Sequence, residues 1–245
     1  MADDRTRPPA RTFPTTRPSA ILGLHSPDPK VRSRSLEQLV RLYWRPVYKH
    51  VRLRWRKDPD QAHEITQEFF LRSLDGKMLQ AYEPERGHFR TFLRVCLDRF
   101  VVDLGRKSLT QKRGQGVIPV PLDPETLEEE IREGGDSHTD LDRLFEEEWV
   151  RSLVALAVES LRAACSEKGK DEHFRVFERW YFGARDEPSY AAIAADLNLS
   201  VSNVMNRLAY TRREFRAIVL ETLRELTSSE EELRAEAQAV LGVAL

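Results

Sequence analysis

Cysteine is nearly absent: the 245 residues hold two, Cys96 and Cys165, far apart and both inside apolar-periodic segments. Two such thiols make neither a disulfide framework nor a zinc site, so buried thiols and a reducing cytoplasmic setting are expected. Long apolar runs are missing too. No stretch reaches the ~20 residues that span a bilayer, and the arginine-bearing N-terminus leads only to the short Ala20-Ile21-Leu22, so neither membrane attachment nor a secretory signal is expected. Glycine is limited to 11 residues, with no phosphate-binding loop or dinucleotide fingerprint among them. The six histidines (His25, His50, His63, His88, His138, His173) lack metal-ligand spacing, and no nucleophile motif is present. Metal-dependent phosphodiester hydrolysis wants clustered carboxylates, and the acids cluster in one connecting segment only. The chain is therefore expected not to be an enzyme and to carry neither cofactor nor metal. Strand-type alternation is absent as well, which leaves an all-α fold.

The formal net charge of −1 hides a strong partition. Residues 30–114 carry 20 Lys/Arg against 10 Asp/Glu, a net of +10, and residues 115–148 carry 2 against 12, a net of −10. Residues 149–226 are nearly balanced, with 12 against 11. Adjacent blocks of opposite sign point to a polyanion-binding part beside an acidic tether.

Residues 1–30 are rich in proline and poor in apolar side chains, and read as a disordered leader. From about Ser33 the spacing of Leu36, Leu39, Val40, Tyr43, Val47 and Val51 predicts a helix, with Pro46 inside it to bend it or remove a hydrogen bond. Asp58-Pro59-Asp60 precedes a second helix through Glu64, Ile65, Phe69, Phe70 and Leu71. A loop from Asp75 to Gly87 leads to a third, whose stripe is Phe89, Phe92, Leu93, Cys96, Phe100, Val101 and Leu104. Arg90, Arg94, Arg99, Arg106 and Lys107 lie mostly off that stripe. The expected organisation is two small helical domains, 31–114 and 147–226, joined by an acidic flexible linker, 115–146, and followed by an extension, 227–245. Within the linker, Thr126–Arg132 is a short helical candidate.

Residues 188–216 have the pattern of a helix-turn-helix. Ser189 can cap a first helix with Ile193, Ala194 and Leu197 inward, and small Ala191, Ala192 and Ala195 permit close approach. Asn198 suits a left-handed turn position, Leu199 plugs the core, and Ser200 caps a second helix with Val201, Val204 and Leu208 inward. Its outward set, Ser202, Asn203, Asn206, Arg207, Thr211, Arg212 and Arg213, consists of groups that bond base edges and phosphates.

This unit, with Phe174, Val176, Phe177 and Tyr181 before it, resembles the C-terminal domain of sigma-70 family transcription initiation factors. Independently, Ala62-His63-Glu64-Ile65-Thr66-Gln67-Glu68-Phe69-Phe70-Leu71 is similar to that family's polymerase-binding helix. The run Tyr82 to Leu93 and the segment Asp98-Arg99-Phe100-Val101-Val102-Asp103-Leu104 with Arg106-Lys107 resemble its −10 region. Covering roughly residues 33–113 and 145–222, the module order matches the extracytoplasmic-function type. The resemblance implies core RNA polymerase contacts at Glu64, Thr66, Gln67, Glu68, Phe70 and Leu71. It implies −10 contacts at Arg90, Arg94, Asp98, Arg99, Arg106 and Lys107, base selection in the loop 75–87, and −35 contacts by Ser200 with the outward set of the second helix. The implied partners are core polymerase, promoter DNA in duplex and melted form, and an anti-sigma factor or other regulator. Two positions depart from the family: His63 stands where an acid is frequent, and Asp98 where an uncharged polar residue is commoner.

Segment 115–148 reaches roughly 110–120 Å when extended, against roughly 58 Å for a 17-base-pair promoter spacer. It is read either as a solvated spacer or as a strap folded back on the basic domain and masking it in the free protein. The extension from Ser228, with Leu233, Val240, Leu241 and Val243 apolar, either rests on the second domain or binds a regulator. The alternative to an initiation factor is a helix-turn-helix repressor or activator that never binds polymerase.

Overall fold

The computed structural model describes residues 20–23, 26–74, 78–83, 87–107, 124–133, 140–183, 189–227 and 229–242. Helix α1 is the short Ala20–Gly23, and α2 (Pro29–Arg54) is the axle of the first half. Asp28 caps α2 by accepting from the Lys30 N–H at 2.8 Å, and Pro29 takes the first position, where no donor is missed. From Leu42 to Val51 every side chain but the half-buried Arg45 is buried, including Trp44, Tyr48, Lys49 and His50. Pro46 lies inside the continuous helix, so its ring removes a donor without ending it.

A helix buried all round needs neighbours on every side. Around α2 these are α1, α3 (Pro59–Leu74), α5 (Pro124–Glu133) and α6 (Leu141–Glu167), with α4 (Phe89–Lys107) against α3. Aromatic rings fill the spaces: Trp44 stacks on Phe70 at 5.9 Å, while Phe69 meets Phe100 at 5.6 Å and Tyr82 meets Phe89 at 5.1 Å, both edge to face. His63 and Trp44 meet edge to face at 5.4 Å.

The second half consists of α7 (Asp171–Phe182), α8 (Tyr190–Asp196) and α9 (Val201–Leu226), followed by α10 (Glu230–Leu241). Among the described residues all regular structure is helical, ten α-helices and one 3-10 turn at Leu79–Ala81, as the missing strand alternation predicts. None of these helices is long and apolar enough to cross a membrane.

Three details differ from the sequence-based expectation. Ala20 and Ile21, inside the supposed leader, are buried against α2 and α9, while residues 1–19 lie outside the described residues. The described parts of the supposed flexible linker are ordered as helix: α5 covers the short helical candidate, and α6 begins at Leu141. Finally, the division between the two apolar cores does not fall at residues 115–146. α6 places Phe145, Trp149, Leu153 and Ala157 in the core built on α2, and Leu161 and Cys165 in the other. In α9, Val204 and Leu208 serve the second core, while Val219, Leu223 and Leu226 serve the first. At 27 and 26 residues these helices are roughly 40 Å long, enough to run through both.

Charges as well as apolar side chains join α2 to the acidic half. Lys49 Nζ lies 2.9 Å from Glu148 Oε1 on α6 and 2.6 Å from Glu130 Oε2 on α5. Arg45 Nη2 reaches the same two carboxylates at 2.5 Å (Glu130) and 3.4 Å (Glu148), and Arg151 Nη1 reaches Glu148 at 2.8 Å. One turn along α2, Arg52 grips Glu128 with two nitrogens, at 2.6 and 2.7 Å, and the Tyr48 hydroxyl donates to Glu128 at 2.7 Å. Burial, and next the bond to Glu128, push the Tyr48 pKa up.

Removing one partner of such a buried set leaves an uncompensated charge. Glu148→Ala is expected to lower unfolding free energy by about 3 kcal/mol, at the low end for a broken buried pair because Glu130 remains beside Lys49. Urea denaturation at pH 7 checks it, and an effect below about 1 kcal/mol, the scale of an exposed pair, is the contrary result.

Candidate nucleic-acid interface

The helix-turn-helix geometry forms around one residue. Asn198 has φ of 53°, the left-handed conformation that its short polar side chain tolerates. The chain closes the turn there, with the Leu199 N–H on the Ala194 carbonyl at 2.8 Å. Ser200 Oγ then accepts from the Asn203 N–H at 3.2 Å and starts α9. Ile193 and Ala194 of α8 and Val204 and Leu208 of α9 are buried with Phe174, Val176 and Phe177 of α7, as the stripes predict.

Several assignments change. Ser189 occupies the cap position of α8, but its side chain makes no capping hydrogen bond. Ala191 and Ala195 are exposed, so the close approach falls to Ala194. Val201 is exposed where it was expected inward. Thr211 is 0% exposed and donates its hydroxyl proton within α9, to the Arg207 or Leu208 carbonyl, each at 3.1 Å, so it belongs to the core and not to a DNA-facing set. Arg207 is half-buried and paired with Glu172 at 2.7 Å.

Of the outward set expected on α9, Ser202, Asn203, Asn206, Arg212 and Arg213 are exposed, beside Met205. Arg212 donates from Nε to the Tyr181 hydroxyl at 2.8 Å and lies over the Trp180 ring at 5.2 Å. Its place is therefore set by the aromatic end of α7. The arrangement offers amide and hydroxyl groups at the helix N-terminus and guanidinium groups about three turns along it, which suits base edges in a major groove with flanking phosphates.

In α4 the expected −10 residues are less open. Arg90, with a side chain 13% exposed, pairs with Glu146 and Glu236 and lies over the Trp149 ring at 4.7 Å. Arg94, 20% exposed, pairs with Asp142. Asp98 accepts from Trp55 Nε1 at 2.9 Å and faces His50 Nε2 at 2.9 Å, and so ties α4 to the C-terminal end of α2. Burial holds the His50 pKa below its ordinary value against the pull of Asp98. Arg99 is exposed, while the side chains of Arg106 and Lys107, in the last turn of α4, lie outside the described residues. So do residues 75–77 and 84–86 of the loop expected to select bases.

Of the expected polymerase contacts on α3, Glu64 is exposed, and Gln67, Glu68 and Leu71 are partly so. Gln67 bonds His63 at 3.1 Å and Glu68 pairs with Arg72. Thr66 and Phe70 are corrected to core residues: Thr66 donates to the Ala62 carbonyl at 2.7 Å and Phe70 is stacked on Trp44. The basic residues that sequence reasoning passed over are Arg45, Lys49 and Arg52. Their spacing of four and three puts them on one side of α2, a signal visible in the sequence.

The acidic segment does fold back: Glu128, Glu130, Asp142, Glu146 and Glu148 all pair with basic residues of α2 or α4. Among the described residues no group of three or more His, Cys, Asp or Glu is placed to hold a metal ion. Comparison with known proteins returns no matching family model, no matching curated protein and no matching solved structure.

Burial raises the Glu130 pKa, but the hydrogen bonds from Arg45 and Lys49 outweigh it and hold the carboxyl down from 4.5 to about 2. A depressed carboxyl contributes stability above its unfolded value and loses it as pH falls toward the folded one. The stability gap between wild type and Glu130→Gln is therefore expected to be full at pH 7 and to shrink as pH falls from 4.5 toward about 2. Urea titrations of both proteins from pH 7 to pH 3 check it, and a gap constant over that range is the contrary result.

Proposed function

We propose that the chain is a bacterial transcription initiation factor of the sigma-70 family, extracytoplasmic-function type. It binds core RNA polymerase, reads duplex −35 DNA through the N-terminal face of α9, and grips the melted −10 strand through α4. The observation carrying the reading is the exposed Ser202, Asn203, Asn206 and Arg213 face that follows the left-handed turn at Asn198, in a chain whose order of motifs resembles that family. The net positive charge of the first half suits a melted strand through phosphate neutralisation. Compaction through α5 and α6 describes the free protein, and a polymerase that draws residues 115–148 into its channels would separate the two DNA-binding faces.

A second reading, a regulator that does not bind polymerase, is favoured by the burial of Thr66 and Phe70, which leaves α3 a smaller contact surface. Co-elution of the purified chain with core polymerase, followed by run-off transcription from promoter-bearing genomic fragments, separates the two. Complex formation with specific transcripts supports the first reading, and specific duplex binding without co-elution supports the second. On a duplex selected for specific binding from those genomic fragments, Asn203→Ala or Asn206→Ala is expected to weaken binding roughly 10- to 100-fold and to relax specificity at one base pair. Arg213→Ala is expected to weaken all sequences alike and to reduce the salt slope by about one. Filter binding over a salt series measures both, and an unchanged affinity in all three variants removes α9 as the reading helix.

A further inference from the structure

α10 packs on the core built around α2. Leu233 and Ala237 on one side are buried with Leu223 and Leu226 of α9. The acidic side faces the entry to α4. Glu236 Oε1 stands 2.8 Å from His88 Nδ1 and pairs with Arg90 Nη1, and Glu232 Oε1 stands 3.4 Å from the Tyr82 hydroxyl, whose shorter bond goes to the Gly87 carbonyl at 3.0 Å. Glu236 is buried, yet its second oxygen, Oε2, has no hydrogen-bond partner.

An imidazole and a guanidinium converging on one carboxylate form an arrangement that also suits a phosphate. A phosphodiester presents the same single charge on two non-bridging oxygens, so it can take both donors in place of a carboxylate that leaves one oxygen unused. We infer that His88 and Arg90 form a phosphodiester site, that Glu236 fills it in the free protein, and that α10 is a strap which a melted DNA strand displaces. The inference rests on the DNA-binding reading of α4 and adds His88, and the regulation of the site by the chain's own C-terminal helix. Competition for one site is reciprocal: whatever α10 subtracts from strand affinity, the strand subtracts from α10 docking.

The test uses the full-length chain, its Glu236→Gln and His88→Ala variants, a labelled single-stranded oligodeoxynucleotide, the selected duplex, and amide hydrogen exchange. Glu236→Gln is expected to speed exchange in 230–241 and to bind the single strand roughly tenfold tighter, the weight of one charge-assisted contact, with duplex affinity unchanged. His88→Ala also loosens α10, but removes a site donor, so faster exchange without the affinity gain is expected. Adding the oligonucleotide to wild type is expected to speed exchange in α10. Unchanged exchange in Glu236→Gln overturns the strap, and faster exchange without tighter strand binding overturns the phosphodiester site. In both cases retained duplex binding leaves the proposed function standing. Failure of every protein to bind duplex or strand overturns both readings together.

Discussion

The structure depends on two cations of α2 being neutralised by carboxylates far along the chain. Lys49 and Arg45 are held in the middle of a helix whose central turns are buried, and the groups that make this tolerable are Glu148 of α6 and Glu130 of α5. Desolvating a charge costs several kcal/mol, recovered only by close, hydrogen-bonded partners. α5 and α6 therefore cannot leave α2 without either exposing that face to water or presenting it to another polyanion. Because α6 and α9 run through both cores, the joint at Lys49 also sets where the helix-turn-helix unit stands relative to α4.

A joint of this kind is stable in the isolated chain and open to competition. The same carboxylates that close it, from Glu128 to Glu148 and at Glu236, resemble a nucleic-acid backbone in charge and in their use of Arg and Lys as partners. In the proposed reading, a surface that would hold phosphates is covered by the chain's own acids, while the N-terminal face of α9 stays exposed. The proposed division of labour follows: duplex reading needs no rearrangement, and strand capture does. An initiation factor kept from gripping single strands until polymerase separates its halves would avoid unproductive binding.

Much of this was legible in the sequence because it is local. The apolar stripes of α2, α4 and α9, the left-handed Asn198, the cap at Ser200 and the helix inside the acidic segment all follow from spacing and backbone preference within a few residues. The failures have a common cause. Periodicity tells which face of a helix is apolar, but not how wide a neighbour covers it. Hence Thr66, beside Phe69 and Phe70, and Thr211, one turn past Leu208, disappear into cores while Val201 is left outside. Partners distant in the chain are equally silent: nothing near Arg90 announces Glu146 or Glu236, and nothing near Lys49 announces Glu148. The opposite blocks of charge did carry that information in aggregate, without the pairing.

The most direct test of the closed arrangement is small-angle X-ray scattering of the free chain in low salt. The expected result is a radius of gyration near the roughly 18 Å of a compact chain of 245 residues. A value of about 27 Å or more, half as large again, would be that of two bodies on an open tether, and would contradict the account.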